Sequence, residues 1–146
     1  MSSNIKVDKV ILPNKPLSNI ELQDAAKKIE IPGFRGVFVR DNIPSKSRKN
    51  ECGILNLDDA SGKGTHWAAW RRTSKNKLYF DSYGIQPPLE LVEYLKHPIL
   101  YNTERLQPTN QVFCGHLCLY VLKQLSLGNH KQFALTYKTY KHIKIT

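Results

Sequence analysis

Thr65-His66-Trp67-Ala68-Ala69-Trp70-Arg71 is followed by Thr73-Ser74-Lys75-Asn76 and then by Lys77-Leu78-Tyr79-Phe80-Asp81. Two apolar, aromatic-rich runs of strand length around a short polar turn predict an antiparallel hairpin. Side chains alternate along a strand, so His66, Ala68 and Trp70 share one face. A hairpin of this length sets the start of its first strand beside the end of its second. His66 and Asp81 can therefore meet. Ser82-Tyr83-Gly84, directly after Asp81, is a turn.

Upstream, Ser18-Asn19-Ile20-Glu21 has the form of a capping box. Ile20, Ala25, Ala26 and Ile29 continue it as a helical stripe, which Pro32-Gly33 ends. Residues 1–16, with Pro13 and Pro16 in polar surroundings, are expected to be an N-terminal arm. Residues 17–146 then form a single domain with a basic C-terminal tail. Gly36–Arg40 and Cys52–Leu57 read as strands, separated by a polar loop that carries Lys46-Ser47-Arg48-Lys49. A turn is expected over 58–64. Downstream, Pro87-Pro88 opens a short helix through Leu95. Ile99–Tyr101 and Glu104–Leu106 suit short strands, and Gln107–Gln111 is a loop by composition. From Phe113 the apolar residues are dense enough for a buried helix that stops near Gly128. The pattern predicts an α+β fold: a small mixed sheet packed against that last helix.

The chain has 146 residues, the size of one compact domain with little room for a second core. Lysine and arginine number 22 against 12 acids, a formal charge of +10, so polyanions are attracted. A merely solvated basic surface explains the same excess. Three cysteines, Cys52, Cys114 and Cys118, make no paired disulfide framework. The first residues carry no apolar signal region and no stretch is long enough to span a bilayer. A soluble intracellular monomer without membrane partners is expected. No paired C-x-x-C or H-E-x-x-H spacing supports a metal site, so none is expected.

Cys114 falls where the buried helix begins, and free amides with partial positive charge at a helix N-terminus stabilise a thiolate. Gly115, lacking a Cβ, would let a substrate backbone approach. Cys118, inside the apolar helix, is explained by packing. Each residue has an ordinary alternative: a buried structural cysteine, a satisfied histidine, a turn-capping aspartate, a loop amide. Taken together, Cys114, His66, Asp81 and Gln107 are what a thiol protease requires as nucleophile, base, orienting carboxylate and oxyanion donor.

Three segments carry a resemblance: Gly64-Thr65-His66-Trp67, Leu78-Tyr79-Phe80-Asp81-Ser82-Tyr83-Gly84, and Gln107-Pro108-Thr109-Asn110-Gln111-Val112-Phe113-Cys114-Gly115. With the weaker Pro32–Phe38 lead-in, they resemble the adenovirus-type (adenain-like) cysteine proteases, relatives of the Ulp-type SUMO proteases. The resemblance runs from Leu17 to about Leu125. It implies a papain-like, Ulp-type fold and a cysteine endopeptidase with His66, Asp81 and Cys114 as catalytic residues. It assigns the oxyanion to Gln107, chosen over Gln111 by spacing. Trp67 resembles the tryptophan that walls a narrow cleft favouring glycine or small residues beside the cut, although core packing explains it equally. Asp81 follows the Ulp branch, since adenovirus enzymes use glutamate. Residues 96–106 hold no cysteine for a disulfide-tethered peptide activator, so none is expected, nor any other cofactor. The net charge is compatible with stimulation by DNA, another family trait.

The expected function is a maturation protease of a DNA virus or virus-like element, acting on protein precursors in the host nucleus or the virion. The alternatives are an isopeptidase that removes SUMO-like or ubiquitin-like modifiers, and a nucleic-acid-binding protein on an inactive protease scaffold.

Overall fold

The computed structural model describes residues 4–57, 66–103 and 113–129, with the backbone of 137–139. Glu21 N–H donates to Ser18 Oγ at 3.1 Å and Ser18 N–H to Glu21 Oε1 at 2.9 Å, closing the expected capping box. Helix α1 (Asn19–Ile29) follows and buries Leu22, Ala25, Ala26 and Ile29. Ile20 is not in that stripe. It stands 77% exposed, because the buried spacing of three and four residues runs through Leu22 instead. The helix ends earlier than Pro32-Gly33, on Glu30 in the left-handed region at φ 62°.

Six strands form one mixed sheet: β3 (Phe34–Val39), β4 (Glu51–Asn56), β5 (Trp67–Arg72), β6 (Lys77–Asp81), β7 (Leu100–Asn102) and β8 (Tyr137–Thr139), neighbouring in that order. The β3–β4 and β6–β7 pairs are parallel and the others antiparallel. β5 and β6 are the expected hairpin, with Ala68 opposite Asp81 and Trp70 opposite Tyr79. Its turn is tied by Thr73, whose hydroxyl accepts from the amides of Lys75 and Asn76. β4 is buried along its whole length, which is why its middle, Cys52–Leu55, reads as an unbroken run without polar residues between the buried Glu51 and Asn56.

Alternation divides the core in two. Ile54, Trp67, Ala69, Leu78 and Phe80 face α1 and α3 (Cys114–Ser126). Leu55, Ala68, Trp70, Tyr79 and Tyr101 face the opposite way, toward α2 (Leu89–Leu95). On that second face Trp70 lies over its strand partner Gly53, where an added Cβ would come within 2.4 Å of the indole. Only glycine admits the ring there.

The expected arm is instead folded. β1 (Ile5–Val7) and β2 (Val10–Leu12) form a hairpin whose Val7 and Leu12 are buried in the α1–α3 core. Its two-residue turn, Asp8-Lys9, puts Asp8 at φ 54°, a conformation aspartate tolerates. The Val7-Asp8-Lys9-Val10 pattern was the signal, obscured by the prolines that follow. Part of the basic tail likewise joins the sheet, as edge strand β8. The turn expected at 58–64, the strand at 104–106 and the loop at 107–111 lie outside the described residues. No helix among the described residues is long and apolar enough to cross a membrane.

Candidate active site

Asp81 ends β6 and is fully buried. Its Oδ1 accepts from His66 Nε2 at 2.7 Å and from the Tyr83 amide at 2.8 Å. The backbone of Asp81 is clamped from β7: its N–H donates to Asn102 Oδ1 at 3.0 Å, and Asn102 Nδ2 donates to its carbonyl at 2.6 Å. The Gly84 amide also bonds that carbonyl at 2.8 Å, closing the turn. Asn102 is buried and nothing in its local sequence marks it. Its importance comes from the parallel β6–β7 pairing, which brings it beside a residue 21 positions away.

His66 stands one residue before β5, its carbonyl accepting from the Leu57 amide at 2.9 Å. With Nε2 bonded to Asp81, Nδ1 is the nitrogen left for Cys114, and it has no nitrogen or oxygen partner among the described residues. Burial opposes protonation of the ring. Hydrogen bonding to Asp81 and Cys114, reinforced by their negative charge, overrides burial and raises its pKa to about 9. The Tyr83 ring stacks on the imidazole, 4.1 Å between centroids and 7° from parallel.

Cys114 is the first residue of α3, 4% exposed, and its Sγ accepts from the Trp67 amide at 3.4 Å. The structure thus brings together three of the four expected groups. Gln107 lies outside the described residues. Cys118, one turn on, is fully buried, and burial pushes its thiol well above the usual range. Cys52 donates to the Pro32 carbonyl at 3.6 Å, and burial raises its pKa to about 12. Neither environment favours a thiolate.

Two expectations for the cleft change. Gly115 does not open the site to a substrate: an added Cβ would meet Leu22 at 3.1 Å, Trp67 at 3.3 Å and Leu17 at 3.5 Å, all interior side chains. It is small so that α3 can seat against α1. Trp67 is 6% exposed and donates its indole N–H to the Leu17 carbonyl at 3.0 Å, so packing accounts for most of it. It also lines a groove of about 280 Å³ with Leu17, Ser18, Phe38, Val39 and Asn56. His116, unmarked by the sequence reading, is buried two residues after Cys114 and bonds the Pro13 carbonyl through Nε2 at 2.9 Å. The segment from Pro13 to Leu17 therefore straps the start of α3. No group of His, Cys, Asp and Glu among the described residues is arranged to hold a metal ion.

No protein-family model matches the sequence, and no curated protein matches it either. A solved structure, the crystal structure of the ASFV pS273R protease, is similar with a TM-score of 0.54 at 16% identity. The match covers 91% of this chain and 64% of that one, so the chain spans about two thirds of that protease's length. The likeness does not single out the adenovirus type. It does show the architecture: this chain has an α+β fold shared with that protease.

Proposed function

We propose that the protein is a cysteine endopeptidase that cuts protein precursors beside small residues. The observation that carries this reading is the His66 imidazole, bonded through Nε2 to buried Asp81 and left with Nδ1 for the sulfur that begins α3. In this reading His66 takes the thiol proton, or holds it in a pre-formed imidazolium–thiolate pair, and the sulfur attacks the scissile carbonyl. The Cys114 amide and, on the resemblance, Gln107 hold the oxyanion. His66 then protonates the leaving amine, and water hydrolyses the thioester. The groove edged by Trp67 would receive the residues flanking the cut. Incubation with fluorogenic peptides carrying glycine next to the cleaved bond tests this. Turnover should vanish in Cys114→Ala and persist in Cys118→Ala. Hydrolysis surviving Cys114→Ala would overturn the assignment. Far better cleavage of a SUMO-like precursor than of such peptides would favour the isopeptidase reading.

A second role, compatible with the first, is binding of a nucleic-acid backbone. Lys49, Arg72, Lys75 and Lys77 line one hollow of about 220 Å³ at the turn of the β5–β6 hairpin. Among the described residues no carboxylate pairs with any of them. Partial burial, and to a lesser extent the charge of Arg72, lower the pKa of Lys77. Anisotropy titration of labelled DNA tests this role: binding should weaken with salt and with Lys75→Ala. Salt-independent binding, or none, would remove it.

A further inference from the structure

The β5–β6 register pairs Ala68 with Asp81. Continued two places past that pair, it sets Tyr83 opposite His66. There the two rings lie parallel, 4.1 Å apart at the centroids. The same residue's amide donates to Asp81 Oδ1 at 2.8 Å, the oxygen that also receives His66 Nε2. Tyr83 thus touches both members of the pair, one through its ring and the other through its backbone.

We infer that Tyr83 is a positioning residue: its ring roofs the imidazole and shields the His66–Asp81 hydrogen bond from water, while its amide holds the carboxylate in line. The inference rests on the protease reading for its catalytic consequence but not for its geometry. Two effects of the stack favour the protonated imidazole. The negative face of an aromatic ring attracts a cation, and a dry hydrogen bond to a carboxylate is stronger than a wet one. The groups acting on the ring are Asp81 from β6, Cys114 from α3 and Tyr83 from the turn. Replacing Tyr83 by an aliphatic residue removes the aromatic face yet keeps the amide bond to Asp81. Phenylalanine keeps both.

The experiment is an NMR titration of ring-labelled histidine in the full chain, with the His66 signal assigned from its loss in His66→Gln. It is run on wild type, Tyr83→Phe and Tyr83→Leu, with peptide hydrolysis measured in parallel. Tyr83→Leu should titrate lower at His66 by about half a unit, the size of a modest cation–π contact. Its kcat should fall about tenfold with KM little changed, the mark of misorientation rather than lost binding. Tyr83→Phe should match wild type in both. An unshifted His66 titration in Tyr83→Leu, or an equal shift in Tyr83→Phe, overturns the inference. Should Tyr83→Leu fail to fold, Tyr83→Met takes its place with the same expectations. The titration stands whether or not peptides are cut, so the predicted shift in Tyr83→Leu beside a wild-type chain that hydrolyses no peptide would sink the protease reading alone.

Discussion

Two buried carboxylates stand at opposite ends of the strands around the β5–β6 hairpin, and they are used differently. Glu51, opening β4, is 3% exposed, and both of its oxygens are occupied. Oε1 accepts from Tyr94 at 2.8 Å, the Arg48 amide at 2.7 Å and Arg35 at 3.2 Å. Oε2 accepts from the Trp70 indole at 2.7 Å and, at 2.6 Å, shares the single Tyr94 hydroxyl proton with Oε1. Asp81 is more deeply buried, yet it makes both of its bonds through Oδ1, and Oδ2 has no partner among the described residues. The saturated carboxylate ties β4, β5, α2 and the basic loop into one piece. The half-used one spends itself on a titrating ring. A polar group fully satisfied by fixed donors acts as structure, whereas one left partly unsatisfied beside a titrating group is where chemistry is expected. Because Glu51 is engaged elsewhere, its strand partner Arg72 gains no carboxylate and contributes to the cationic hollow.

The sharpest test of this contrast is a pair of substitutions with opposite consequences. Asp81→Asn should lower kcat/KM by about 10²- to 10⁴-fold, because the imidazole loses the acceptor that sets its tautomer. Its thermal midpoint should barely move above about pH 9, where the stability contributed by the charged His66–Asp81 pair has already been lost. Glu51→Ala should do the reverse. It strands the donors of Arg35, Tyr94 and Trp70, costing about 3 kcal/mol and roughly 10 °C in midpoint, while kcat in the folded fraction stays near wild type. A stability loss in Asp81→Asn as large as that in Glu51→Ala would erase the distinction.

Asn102→Ala should fall between the two, since it removes the partner of the Asp81 amide and one of the two partners of its carbonyl, which keeps only Gly84. About 1–3 kcal/mol of stability is expected to go, with roughly tenfold of activity, read by urea unfolding and peptide hydrolysis. A smaller effect concerns pH. His66 has a folded pKa raised above its ordinary value, so the stability it contributes is complete below about pH 6.5 and is lost as pH rises through about 9. The midpoint of wild type should decline over that window more steeply than that of Asp81→Asn, and parallel curves would refute the coupling. Smallest of all, Lys75→Ala should reduce the salt slope of DNA binding by about one ion and leave peptide hydrolysis unchanged.

How much could be read in advance depended on how far apart the cooperating residues lie. The capping box at Ser18, the hairpin around Thr73–Asn76 and the start of α3 at Cys114 were all legible, because each depends on neighbours within a few positions. The nearness of His66 to Asp81 followed from the same hairpin. Ile20 was misplaced because only packing distinguishes it from Leu22. The N-terminal hairpin was missed because its burial depends on α3, more than a hundred residues downstream.

From the order of residues alone came the local elements, the candidates proposed as nucleophile, base and carboxylate, and the strand pairing that joins two of them. These follow from side-chain period and turn chemistry, which act over short stretches of chain. Folding in three dimensions chose which groups are dry, saturated or left half-bonded. The Asn102–Asp81, Trp67–Leu17 and His116–Pro13 bonds span 21, 50 and 103 positions. No local pattern encodes such partners, because desolvation and hydrogen-bond completion depend on everything packed around a group at once.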